Sequence, residues 1–84
     1  VDVLKIDQMF VRQIVRDAGD AAIVRAVIAL AHGFGLKVVA EGVEAQSQVI
    51  KLAQLDCDIC QGYHYGAPMA ANAVAGWMME RGFA

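Results

Sequence analysis

Six residues of this 84-residue chain carry side chains that could act together on a phosphate or a metal ion: Lys5, Asp7, Glu41, Glu44, Gln61 and Tyr63. They fall at or just after the ends of three short apolar runs. A carboxylate is a hard oxygen ligand for Mg²⁺, Mn²⁺ or Ca²⁺, and beside an activated water it can act as a general base. A lysine ammonium can neutralise a phosphoryl oxygen or hold an attacking hydroxide in line. A glutamine amide can orient a water or a base edge. Charges serving only solubility would be expected to scatter over helix faces. The competing bland reading is strongest for Glu41 and Glu44, because acids are favoured at a helix N-terminus by the dipole.

The runs that position these residues read as strands, and the stretches between them as helices. Val1–Asp7 is short and β-branched, Leu36–Ala40 has a buried-strand pattern, and a third strand starts near Cys57 and reaches Tyr63. Between them, Gln8–Asp17 holds a short helix. Ala21–His32 follows Asp20 as an N-cap, with Ile23, Val27, Leu30 and Phe34 forming its apolar stripe. Gly33 and Gly35 suit its C-terminal turn. Ala45–Leu55 and about Ala70–Arg81 complete the helices. Strands alternating with helices imply an α/β fold with a parallel sheet and right-handed crossovers. Ligands of such folds bind at the carboxyl ends of the strands, where the six residues fall. Three strand–helix units, about 1–35, 36–55 and 56–84, form either a small open sheet or the last three βα units of a (β/α)₈ barrel. In the barrel case the strands run parallel in chain order, helices cover one face, and the other face exposes apolar side chains.

Composition narrows the function classes. Apolar residues make up 58% and charged residues 19%, with a single Pro, which excludes a disordered chain. So high an apolar share in so small a unit implies faces that pack against further protein. Seven Lys plus Arg against nine Asp plus Glu leave a net charge of −2. That is no footprint for a DNA or RNA polymer, nor for an anionic membrane. No run reaches the roughly 18–20 apolar residues of a membrane span; Arg25 interrupts the nearest, Ala21–Ala31. The first residues lack a signal-peptide pattern and an initiator Met, so the expectation is a piece of a longer protein. Two Cys cannot staple a secreted mini-fold, which fits the reducing cytoplasm. Cys57 and Cys60 form a lone C-x-x-C, short of the four ligands of a structural zinc site, and are read as buried apolar residues. As members of one strand, three apart, they would point to opposite faces. His32 reads as a dipole partner at a helix end.

Three motifs carry a specific resemblance. Leu4-Lys5-Ile6-Asp7-Gln8-Met9-Phe10-Val11 resembles the LKID-x-x-FV segment of EAL-domain cyclic di-GMP phosphodiesterases. Val39-Ala40-Glu41-Gly42-Val43-Glu44 resembles their AEGVE motif, and Gln61 through Pro68 resembles QGY-x-[FY]-x-x-P. All three occur in the family's order. The resemblance implies a modified (β/α)₈ barrel of which this chain is the C-terminal part. It implies hydrolysis of one phosphodiester bond of cyclic di-GMP to linear pGpG, with Mg²⁺ or Mn²⁺ at a two-metal site. On that resemblance Lys5 and Glu41 are catalytic, Glu41 and Asp7 belong to the metal site, and Glu44, Gln61, Tyr63 and Pro68 bind substrate or support the site. Ala45 stands where the family usually has Thr. The family's Glu-Ala-Leu signature, its mid-barrel Asn and Glu ligands and its Asp-Asp-Phe-Gly-Thr-Gly segment are absent from the chain.

Those missing ligands set the remaining expectations. The fragment alone should be inactive, while the intact parent is the enzyme. A degenerate EAL domain that senses cyclic di-GMP without cutting it is the alternative, and a ligand-free α/β scaffold is the third. The partners implied are cyclic di-GMP, the remainder of the barrel and a second copy in a homodimer.

Overall fold

The structure is a computed structural model that describes residues 2–62, 69–71 and 73. Its elements run β1 (Val3–Ile6), α1 (Gln8–Arg16), α2 (Ala18–Gly33), β2 (Lys37–Ala40), α3 (Gln46–Gln54), β3 (Ile59–Cys60) and β4 (Met69–Ala70). The sheet order is β1-β2-β3-β4. β1, β2 and β3 are parallel and in chain order, as the alternation of strands and helices predicts. β4 is the departure: it pairs antiparallel to β3, Ile59 opposite Ala70 and Cys60 opposite Met69. Its sequence, directly after Pro68 and leading into a helical pattern, offers two residues and no periodicity to read.

The core lies between the helices and one face of the sheet. Leu4, Ile6, Val38, Ala40 and Cys60 meet Val11 and Ile14 of α1, Val24, Ile28 and Ala31 of α2, and Val49 and Leu52 of α3. Strand alternation puts Val3, Lys5, Lys37, Val39 and Ile59 on the opposite face. That face is only partly open: Val3 and Lys5 are exposed, Ile59 is half-buried, and Val39 is buried.

The helix that follows α1 differs from expectation in two ways. It starts at Ala18 rather than Ala21, and Asp17, not Asp20, is its N-cap, with Oδ1 accepting the N–H groups of Gly19 and Asp20 at 2.7 and 3.2 Å. The buried face is Ala21, Val24, Ile28 and Ala31, whereas the predicted stripe is exposed: Ile23 59%, Val27 40%, Leu30 64% and Phe34 75%. α2 is apolar on two faces, so periodicity alone favoured the bulkier one, while small Ala21 and Ala31 let the helix approach the sheet. The C-terminal turn matches its glycines. Gly35 takes φ +76°, and the N–H groups of Gly35 and Leu36 donate to the carbonyls of His32 and Ala31, a closure that a left-handed residue permits.

Candidate active site

The parallel register brings the ends of β1, β2 and β3 together. Lys5 is opposite Val39, Ile6 opposite Ala40, and Ala40 opposite Cys60. The pairing continues past the strand ends: the Glu41 N–H donates to the Ile6 carbonyl at 3.0 Å, and the Gln61 N–H donates to the Ala40 carbonyl at 2.8 Å. Glu41 and Gln61 therefore leave the sheet side by side. Lys5 Nζ lies 3.4 Å from Glu41 Oε1. Glu41 is thus the ion-pair partner of Lys5. Burial is not the reason for the pairing, since the lysine side chain is 62% exposed. An ion pair this open to solvent contributes little to stability.

Two glycines shape the turns at this edge. Gly42 has φ +68°, and a Cβ there would meet Gln8 Cβ at 2.5 Å. Gly62 has no room for a Cβ, which would overlap the Val43 carbonyl oxygen. The Val43 N–H in turn donates to the Gln61 carbonyl at 3.1 Å. The Glu41–Val43 turn and the Gln61–Gly62 segment are thus locked backbone to backbone.

The other candidates are placed differently. Asp7 is the N-cap of α1, its Oδ2 accepting the Met9 N–H at 3.1 Å. Glu44 is exposed, and its N–H and that of Ala45 donate to Gln48 Oε1 at 2.7 and 3.1 Å. Gln48 is a residue the sequence reading missed. Its signal is a Gln at the third helical position, which reaches back to an N-cap whose own side chain, Ala45, has no acceptor. Tyr63 and Pro68 lie outside the described residues. Among the described residues no group of three or more His, Cys, Asp or Glu could hold a metal ion. Glu41 fits as one carboxylate ligand, and Asp7 has one oxygen left after capping.

The thiols are not part of this site. Cys57 and Cys60 are free and buried. Burial pushes the Cys57 thiol up, despite a hydrogen bond to the Ile59 carbonyl, and pushes Cys60 up to about 12. Neither is a thiolate near neutral pH. They share one core rather than diverging, because the strand covers only Ile59–Cys60 and alternation does not extend to Cys57.

At the opposite end of the strands, Asp58 makes a junction. Its Oδ2 meets His32 Nε2 at 2.7 Å and accepts the Val38 N–H at 2.8 Å. His32 is therefore a tether between α2 and β3 as well as a basic residue at a helix end. The junction needs no chemical role: in barrels this end of the strands serves stability.

The described topology is that of a parallel α/β barrel segment carrying a charged pair on its carboxyl edge. The EAL domain family model matches residues 1–68, and the chain belongs to that family. It is 47% identical over 69 residues to the bifunctional diguanylate cyclase/cyclic di-GMP phosphodiesterase MucR of Pseudomonas aeruginosa, covering 82% of this chain and 10% of MucR. It is 38% identical over 66 residues to the cyclic di-GMP phosphodiesterase RocR of the same organism, covering 79% of this chain and 17% of RocR. A solved structure of the PaMucR phosphodiesterase in complex with c-di-GMP superposes with a TM-score of 0.70 at 43% identity, over 88% of this chain and 30% of that one. The chain thus spans only a small part of the length of these relatives.

Proposed function

We propose that this chain is the C-terminal part of a cytoplasmic EAL domain that hydrolyses cyclic di-GMP to linear pGpG in its intact form. The observation that carries the reading is the Lys5–Glu41 pair, 3.4 Å apart at the carboxyl edge of parallel strands. Similarity to MucR and RocR, described as cyclic di-GMP phosphodiesterases, supports it. Among the described residues, no helix is long and apolar enough to cross a membrane.

In this reading Lys5 neutralises charge that develops on the phosphoryl oxygens or holds the attacking water. Glu41 has one oxygen toward Lys5; the carboxylate accepts the proton of that water or offers an oxygen to the metal site. Gln61, at the neighbouring strand end, orients water or substrate, with Tyr63 and Pro68 lining the pocket. Asp7 and Glu44 support the site from the starts of α1 and α3. Mg²⁺ or Mn²⁺, when bound, supplies further positive charge at the scissile phosphate. The remaining ligands come from the rest of the barrel.

The rest of the barrel is also the proposed partner of the exposed apolar surface. Among the described residues β1 has one unpaired edge, beside a cavity of about 210 Å³ lined by residues that include Leu4, Ile6, Phe10, Ile23 and Val27. A preceding strand and helix would pair with that edge and cover the exposed stripe of α2. A second copy is the other proposed partner.

The test is hydrolysis of cyclic di-GMP by the full-length protein in Mg²⁺ or Mn²⁺, with the 84-residue chain alone as control. Turnover by the whole and none by the fragment is the expected result. Binding without turnover by the whole would make the domain a sensor, and neither binding nor turnover would end the reading.

A further inference from the structure

A separate cavity, polar and of about 300 Å³, lies between α1 and the start of α3, lined by Arg12, Val15, Arg16, Glu44, Ser47 and Gln48. Its free polar groups are mostly donors. Arg12 and Arg16 are one helical turn apart on α1, and like charges at that spacing repel. Neither forms an ion pair within 4.0 Å among the described residues, although Glu44 lines the same cavity. Gln48 Oε1 already accepts the N–H groups of Glu44 and Ala45, which leaves its amide NH₂ to donate. Ser47 adds a hydroxyl. Glu44 is the single carboxylate, so the lining carries one more positive charge than negative.

We propose that this cavity binds a phosphate group, gripped by the Arg12 and Arg16 guanidinium forks and by the Ser47 and Gln48 donors. Planar guanidinium groups match phosphate oxygens two at a time. A bridging phosphate also relieves the repulsion between the two arginines. Glu44 competes with the ligand for the same cations. The source is free phosphate or the terminal phosphate of a linear nucleotide; the cavity stands apart from the hydrolysis proposed above, and only the nucleotide source rests on that reading.

The test is calorimetric titration of the full-length protein with inorganic phosphate and, separately, with a linear guanylate dinucleotide bearing a 5′-phosphate. Each is repeated with Arg12→Gln/Arg16→Gln and with Glu44→Gln. The arginine variant should lose at least tenfold in phosphate affinity while keeping its circular dichroism spectrum. Glu44→Gln should bind more tightly. Both ligands losing affinity together indicates a site for any terminal phosphate; loss for the dinucleotide alone assigns the nucleotide as its source. Undetectable binding by the unaltered protein, or affinities indifferent to the arginines, would overturn the proposal. Hydrolysis is measured in parallel, and its absence with phosphate binding intact would count against the proposed reaction and not against this cavity.

Discussion

Lys5 and Glu41, from different strands, meet at 3.4 Å because β1 and β2 are paired so that Ile6 faces Ala40 across the ladder. The pair is too exposed to be there for stability. An ion pair in solvent is worth about 0–1 kcal/mol. Loss of a positioned acid–base or charge-stabilising group costs roughly 10²–10⁴-fold in rate. Lys5→Ala and Glu41→Gln in the full-length protein should therefore shift the melting temperature little and lower kcat for cyclic di-GMP hydrolysis at least about 100-fold. Variants that keep most of their turnover would remove both residues from the reaction.

Gly62 is the tightest point of the candidate site. A methyl group there runs into the Val43 carbonyl oxygen, and backbone cannot swing aside as a side chain can. Overpacking of this kind costs about 1–3 kcal/mol. Gly62→Ala should lower the urea midpoint of the intact domain. It should also displace Gln61, whose carbonyl holds the Val43 N–H, so activity per folded molecule should fall as well. A crystal structure of the variant with Val43 and Gln61 unmoved would show that the contact is softer than argued.

The parts of this architecture legible in the sequence are those set by local pattern. Apolar β-branched runs gave β1 and β2, and the charged residues at their ends gave the Lys5–Glu41 edge. What was illegible depends on tertiary choice. The sequence shows two apolar faces on α2, and only packing against the sheet selects Ala21, Val24, Ile28 and Ala31. Asp17 and Asp20 both suit an N-cap, and backbone geometry decides between them. The Asp58–His32 contact joins residues with no sequence pattern in common. The resemblance named the roles of Asp7 and Glu44, but their local surroundings, a helix cap and a separate cavity, follow from the turns around them.

Asp56 is a correctable strain. It follows α3 with φ 67°, a left-handed conformation in a residue that carries a side chain. The N–H groups of Asp56 and Cys57 donate to the carbonyls of Ala53 and Leu52, so the helix closes through this conformation. Glycine adopts it without the steric cost of about 1–2 kcal/mol. Asp56→Gly should stabilise the domain by up to about 1 kcal/mol, less the chain entropy glycine adds to the unfolded state. Thermal unfolding reads the change, and a lower melting temperature would mean that the aspartate makes a compensating interaction.

Asp58 makes acid stability predictable in sign. Burial alone would raise its pKa. The hydrogen bonds from His32 and the Val38 N–H, with the charges of His32 and Lys37, outweigh that effect and hold the carboxyl below its ordinary value of 3.8. A carboxylate with a depressed folded-state pKa contributes stability that is fully present above its unfolded pKa and is lost as pH falls through the folded value. The window thus opens just below pH 4 and extends downward. Asp58→Ala also leaves the N–H of fully buried Val38 without its acceptor, an unmet group costing about 1–3 kcal/mol. The variant should be less stable than the parent at pH 7, and the gap should narrow as both are taken below pH 4. Urea midpoints measured across that range decide the matter: a gap that stays constant from pH 7 to pH 2 would show that the carboxylate charge contributes nothing to the junction of α2, β2 and β3.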